Sequence, residues 1–104
     1  SWDSSRHWQR VMQGHAAANI IPVMAANRVG YEKGSTTEIT FYGSSFIAGY
    51  TGEIVAEAGR DTEEVISAEF DDAAIEALRT SWGLFRDRRP DLYGSLLSLD
   101  GNVE

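Results

Sequence analysis

The run Ile20-Ile21-Pro22-Val23-Met24-Ala25-Ala26 decides how this chain is read. It is apolar without alternation, so a half-exposed strand does not account for it, and it is too short for a second helix directly after the one that precedes it. The run predicts a strand buried on both faces, with Pro22 near its start, where a missing amide is tolerated. At Asn27-Arg28 polar groups emerge from the sheet.

Upstream, from Arg6 to about Asn19, the positions Trp8, Val11, Met12, His15, Ala16 and Asn19 follow the i, i+3, i+4, i+7 rhythm of an amphipathic helix, with Asp3, Ser4 and Ser5 as candidate caps. Downstream, residues 29–40 read as a polar loop through Gly30, Lys33-Gly34-Ser35 and Thr36-Thr37-Glu38. Three short strands are predicted next, Ser44 to Ala48, Glu53 to Ala58 and Glu64 to Phe70. Gly49-Tyr50-Thr51-Gly52 and Gly59-Arg60-Asp61-Thr62 turn between them, making an antiparallel meander. Asp71-Asp72 opens a second helix to about Thr80, with Ile75, Leu78 and Trp82 on one face. Helix, buried strand, meander, helix and tail together make an α+β or layered α/β unit in which one sheet face has no obvious cover.

A chain of 104 residues holds one domain and buries roughly 60–70% of its unfolded surface. Its net charge of −7 opposes a nucleic acid or an anionic membrane as partner, since both recruit basic surfaces; a cationic or neutral ligand fits better. The absence of cysteine removes disulfides, thiolate metal sites and cysteine nucleophiles together. No apolar stretch approaches the roughly 20 residues of a membrane span, and Ser1-Trp2-Asp3-Ser4-Ser5 lacks a signal peptide's basic start, so a soluble, cytoplasmic chain is expected.

Candidate chemistry is sparse. His7 and His15 lie eight residues apart, about 12 Å along a helix, too far to share a metal ion. No metal or cofactor is expected. Gly43-Ser44-Ser45 opens like a nucleophile turn, but Ile47 stands where that motif needs its second glycine, and both histidines sit on the first helix. Glu38, beside Thr37 and before Tyr42, stands where a polar loop re-enters apolar sequence and could meet a cationic ligand; the bland alternative is a solvated acid. In Trp82-Gly83-Leu84-Phe85-Arg86-Asp87-Arg88-Arg89-Pro90-Asp91-Leu92-Tyr93, aromatic rings interleave with arginines and aspartates. This predicts a segment pinned against a larger surface, its guanidinium groups in bidentate ion pairs.

Four stretches carry a family resemblance: His7 to Asn19, Ala25-Ala26-Asn27-Arg28-Val29-Gly30, Glu38 to Ile47 and Trp82 to Tyr93. Together they resemble the nitrilase (carbon–nitrogen hydrolase) superfamily over nearly the whole chain, with the first and last pointing to the branch that acts on N-carbamoylputrescine. The resemblance implies a four-layer αββα sandwich of which residues 1–104 are a partial domain, the C-terminal half; the residues themselves read as a frayed tail over 94–104. It also implies an enzyme that hydrolyses a carbamoyl or amide C–N bond, releasing putrescine, ammonia and carbon dioxide in polyamine synthesis. A cysteine thioester, a glutamate base and an oxyanion-binding lysine do this work in the family. All three precede the stretch matched here, so no catalytic residue is assigned and the chain is expected to be inactive alone.

Asn27, Arg28, Glu38, Tyr42 and Ser45 match family motifs near strand ends and are expected to shape or support the pocket for a small cationic carbamoyl or amide substrate. Trp8, Val11, Met12 and His15 on the first helix, and Trp82, Phe85, Arg88 and Tyr93 in the tail, are implied to lie at homo-oligomer interfaces. Two alternatives stand beside this reading. One is another amidase or a β-ureidopropionase-like enzyme of the superfamily; the other is a non-catalytic module that self-associates. If half of a two-sheet sandwich stands alone, Ile21, Val23, Met24 and the meander meet water unless a second copy covers them.

Overall fold

Phe46 is 1% exposed and holds the centre of the molecule. The computed structural model describes residues 2–102, so part of the tail expected to fray, residues 103 and 104, lies outside the described residues. Helix α1 (Ser5–Asn19) is followed by β1 (Val23–Ala25), the strands β2 (Val29–Lys33) and β3 (Glu38–Tyr42), and then β4 (Phe46–Ala48) and β5 (Ile54–Glu57). Helix α2 (Asp72–Trp82) and two short 3-10 turns, Pro90–Leu92 and Gly94–Leu97, complete the chain. The main sheet has the order β1-β4-β5 and is antiparallel throughout; β2 and β3 form a separate two-stranded ribbon.

Strand alternation explains the core. Val23, Ala25, Phe46 and Ala48 occupy one face of the paired strands β1 and β4, and there they meet Trp8, Met12 and Ala16 of α1, with Ile54 alongside. The Trp8 ring stands edge-on to Phe46 with centroids 5.1 Å apart, a favourable aromatic geometry. Polar links fix the helix on its sheet. The Gln9 amide donates to Glu57 Oε1 at 2.7 Å, Arg6 donates to Gln9 Oε1 at 2.8 Å, and the Gln13 amide donates to the Gly52 carbonyl at 2.8 Å. At the helix start, Asp3 accepts the Ser5 amide at 3.0 Å and pairs with Arg60 at 3.1 Å.

Several expectations change. The strand buried on both faces is β4, whose three residues are all buried, and not the Ile20–Ala26 run. Ile20 ends α1 in a left-handed conformation, φ 49°, so only Val23–Ala25 is strand, and Met24 is 78% exposed. The polar loop of residues 29–40 is the β2–β3 ribbon, with Val29 opposite Tyr42, Tyr31 opposite Thr40 and Lys33 opposite Glu38. Its tip closes where the Gly34 amide donates to the Thr37 carbonyl at 2.7 Å. Glu64 to Phe70 is not a strand: no ladder forms along it, and β5 has only β4 as neighbour. Instead this segment runs across the sheet face opposite α1, where Ile66 and Phe70 line a cleft with Met24 and Ile47. On α1 the inward stripe is Ser5, Gln9 and Ala16 flanked by Trp8 and Met12, so Val11, His15 and Asn19, expected on it, are exposed. In α2 the half-buried face holds Ile75 and Leu78, whereas Trp82 is 63% exposed. The Asp71 carboxylate caps that helix, accepting from Ala73 at 2.9 Å and Ala74 at 3.2 Å, and Gly83 closes it at φ 60°.

The result is a slab of 49 × 42 × 16 Å. Its radius of gyration, 18.4 Å, far exceeds the roughly 13 Å of a compact domain this long, because the β2–β3 ribbon and the tail extend from the α1–sheet core instead of packing on it.

Phe46→Ala is expected to lower stability by about 3–5 kcal/mol, read as a shift in urea midpoint at fixed protein concentration. Low pH should loosen the start of α1. The Ser5 backbone amide, then its hydroxyl, then Arg60 hold the Asp3 carboxyl below the usual carboxylate value. A folded pKa below the unfolded one means the contribution is present above the unfolded value and fades as pH falls through the folded value. Asp3→Asn should flatten that part of the acid titration, followed by circular dichroism.

Candidate functional site

The residues expected at the pocket are positioned by the junction where β1, the ribbon and β4 meet. Asn27 follows β1 and uses all of its polar groups inside the chain. Its backbone amide donates to Ser45 Oγ at 2.8 Å, and that hydroxyl donates to the Asn27 carbonyl at 3.3 Å. The Asn27 side-chain amide donates to the Gly43 carbonyl at 3.0 Å, and Oδ1 accepts the Arg28 amide at 2.8 Å. Asn27 is thereby a brace for the strand end. Arg28 leaves the junction for the ribbon, where its guanidinium lies 4.4 Å from the Phe41 ring centroid and donates to Glu32.

Between β3 and β4 the chain takes two consecutive left-handed steps, Gly43 at φ 54° and Ser44 at φ 57°. Glycine is required at the first. A Cβ there would lie 2.7 Å from the Arg60 carbonyl oxygen and 2.8 Å from that of Gly59. Ser44 carries the strain of a non-glycine residue in this region, offset by its hydroxyl donating to the Tyr42 carbonyl at 2.9 Å and its amide to the Gly59 carbonyl at 3.0 Å. Beside the junction opens a polar hollow of about 210 Å³, lined by Asn27, Val29, Ser45, Thr62, Glu63 and Glu64. Glu63 and Glu64 are additions that sequence reasoning missed, because the segment was read as a turn and a strand.

Asn27, Ser45 and the Arg28 backbone therefore converge, while the other two expected residues do not join them. Tyr42 packs on Trp8, with ring centroids 5.8 Å apart, on the α1 side of the sheet. Glu38 begins β3, about 13 Å from Tyr42 along an extended strand, and pairs with Lys33 at 3.7 Å. The Tyr31 phenol is raised above its ordinary pKa by desolvation first and by the Glu38 carboxylate second. A second, wider groove of about 780 Å³ runs between the start of α1 and the ribbon, past Trp2, Tyr31, Tyr42 and Arg60.

The residues expected at subunit interfaces divide as well. Trp8 and Met12 pack within the chain, whereas Val11 and His15 face outward. In the tail, Trp82, Phe85 and Tyr93 are exposed, and Arg88 lies over Phe85 at 3.6 Å while donating to its carbonyl at 2.9 Å. The tail arginines do make the expected bidentate pairs, but with their own segment: Arg86 grips Asp87 at 2.9 and 3.3 Å, and Arg89 grips Asp91 at 3.1 and 2.8 Å. No larger surface is needed to hold them.

Chemically, this arrangement braces and shapes. The chain has no thiol, and its only lysine is engaged with Glu38 at the ribbon tip. Among the described residues no group of histidine, aspartate or glutamate is placed to hold a metal ion, and no helix is long and apolar enough to cross a membrane.

Comparisons with known proteins agree on one family. The carbon-nitrogen hydrolase family model matches residues 3–80. Over 105 residues the chain is 59% identical to N-carbamoylputrescine amidase of Arabidopsis thaliana, covering 97% of this chain and 35% of that protein. It is 52% identical over 96 residues to citrullinase of Francisella tularensis subsp. tularensis, covering 92% of this chain and 34% of that one. A crystal structure of carbon-nitrogen hydrolase from Helicobacter pylori superposes with a TM-score of 0.84 at 41% identity, over 92% of this chain and 34% of the other. The chain thus spans about a third of the length of the relatives it matches.

Gly43→Ala is expected to destabilise the chain by about 2 kcal/mol or more, since backbone oxygens block the methyl group and φ is left-handed. Ser45→Ala should cost about 1–3 kcal/mol by orphaning the Asn27 amide. Denaturant midpoints of the two variants against the parent chain check both.

Proposed function

This chain belongs to the carbon-nitrogen hydrolase family, and from that premise we propose that its residues form the C-terminal layer of a subunit that hydrolyses N-carbamoylputrescine to putrescine, ammonia and carbon dioxide. The observation that carries this reading is the 59% identity with the Arabidopsis N-carbamoylputrescine amidase, sustained over 97% of the chain. In this role α1 and the β1-β4-β5 sheet are one α/β half of a four-layer sandwich, and the free sheet face receives the other sheet at about 10 Å spacing. The nucleophilic cysteine, the glutamate base and the oxyanion-binding lysine come from outside these residues. What this chain supplies is the wall: the Asn27–Ser45 brace fixes the end of β1, and the Gly43–Ser44 step aims the ribbon away from the sheet.

Oligomer contacts follow from the surface that remains. The outward stripe of α1, with Val11 and His15, and the apolar tail side chains Trp82, Phe85 and Tyr93 face neighbouring subunits in a cytoplasmic homo-oligomer. The 52% identity with citrullinase favours a second reading within the same chemistry, in which the ureido group hydrolysed is that of citrulline.

The test combines this chain with the part of the Arabidopsis amidase that it does not match, and follows ammonia release from N-carbamoylputrescine and from citrulline. Neither piece alone should exceed the rate without protein, and the pair should restore hydrolysis, fastest on the carbamoylated diamine. Turnover or thioester formation by the isolated chain would sink the proposal. So would a stable complex of the two pieces that remained inactive on both compounds.

A further inference from the structure

Charges do not match in the run Arg86-Asp87-Arg88-Arg89-Pro90-Asp91, where three guanidinium groups meet two carboxylates. The cation left over is Arg88. Arg86 is held by Asp87 and Arg89 by Asp91, whereas Arg88 stacks over Phe85 at 3.6 Å and donates only its Nε hydrogen, to the Phe85 carbonyl at 2.9 Å. Of the nine Lys and Arg side chains, six pair with a carboxylate; among the described residues Arg10, Arg79 and Arg88 do not. Two of those three line one hollow of about 150 Å³, between the end of α1 and the turn that follows α2. We propose that this hollow binds a small oxyanion, a phosphate or carboxylate group held between Arg79 and Arg88.

The surroundings set the sign of the ligand. No carboxylate lines this hollow; beside the two arginines its walls include Asn19, Ile20, Leu84 and Phe85. The junction hollow of about 210 Å³ contains Glu63 and Glu64, and the groove of about 780 Å³ contains Asp3 and Asp61, as suits a chain of net charge −7. Two uncompensated guanidinium groups at one place stand out against that background. Apolar walls around them lower the local dielectric and strengthen their attraction for an anion. The volume suits a single oxyanion with its waters, and it is too small for a peptide.

Arg88 is oriented before any ligand arrives. Stacking on Phe85 fixes the plane of its guanidinium and the Nε bond fixes its rotation, which leaves the Nη edge to donate as a bidentate fork. Arg79 approaches from the last turn of α2 and supplies the second charge. The Asn19 side-chain amide is already engaged by the His15 carbonyl at 2.9 Å, so the arginines carry the donors. A purely structural role is the competing account, because α1 has no basic residue in its own last turn and two nearby cations would offset its carbonyl end. That account gives a phosphate ion nothing to do. The walls come from residues 18–20 and 79–88, away from both ends of the chain, and the inference takes no step from the catalytic reading.

The probe is inorganic phosphate, titrated at constant ionic strength in exchange for chloride and followed by calorimetry and phosphorus NMR line broadening. A single phosphate per chain should bind. Arg79→Gln and Arg88→Gln should each weaken it about tenfold or more, the effect of losing one hydrogen-bonded charge, with helical circular dichroism unchanged. If Arg88→Gln disturbs its turn, Arg79→Gln still decides, since it replaces an exposed residue with another good helix former. Arg10→Gln, exposed on α1 and equally unpaired, should leave the affinity as it was. The same affinity should persist when the chain is combined with the part of the Arabidopsis amidase that it does not match, a readout separate from ammonia release. Absence of binding, binding that survives Arg79→Gln and Arg88→Gln together, an equal loss through Arg10→Gln, or disappearance of the affinity in that combination would overturn the proposal.

Discussion

The seating of Phe46 beneath Trp8 is the contact on which the rest of the structure depends. It joins the central strand to α1, and because β4 lies between β1 and β5, whatever holds β4 holds the sheet. Strand alternation then divides the residues. Positions in phase with Phe46 face the helix and are covered; those out of phase, Met24 and Ile47, face a side on which only the irregular segment from Glu64 to Phe70 and the start of α2 lie. The polar pins fix the register of helix on sheet: Gln9, buried on the inward stripe of α1, bonds Glu57 and Arg6, and Gln13 bonds the Gly52 carbonyl.

What the sequence made legible was what depends on neighbours in the chain. Both helices, the Gly49–Gly52 hairpin and the Asp71 cap follow from spacing and capping chemistry, which are local. The ribbon was obscured because Lys33 and Glu38 occupy strand positions; they sit opposite each other and neutralise one another, so charge there marked a cross-strand pair and not a loop. Glu64 to Phe70 erred the other way. Its composition suits a strand, but a ladder needs an adjacent edge, and the chain departs from β5 to cross the sheet face instead. The run Ile20 to Ala26 mixes a helix end, a turn and an edge strand, three states that share one apolar composition for different reasons.

The same distinction governs the candidate site. Asn27 and Ser45 lie eighteen residues apart and meet because two strands end at one junction; the family motifs marked both near strand ends without assigning a contact between them, and hydrogen bonding supplies it. Glu38 lay near Tyr42 in sequence and is remote in space, since an extended strand separates what a loop would have brought together. The family match over residues 3–80 takes in both the Asn27–Ser45 junction and the two left-handed steps that separate the ribbon from β4.

The tail shows what local ion pairing does to a surface. Between Trp82 and Asn102 three arginines and three aspartates cancel, so a chain of net charge −7 ends in a segment that is electrically almost silent. With Arg86 and Arg89 already engaged by their own neighbours, the segment presents Phe85, Leu92, Leu96 and Leu97 outward on a backbone shaped before any encounter. Any surface that met it would meet apolar side chains and few free charges. A contact made there would be governed by dehydration, almost indifferent to ionic strength, and would cost little ordering entropy in a backbone already held by its own ion pairs.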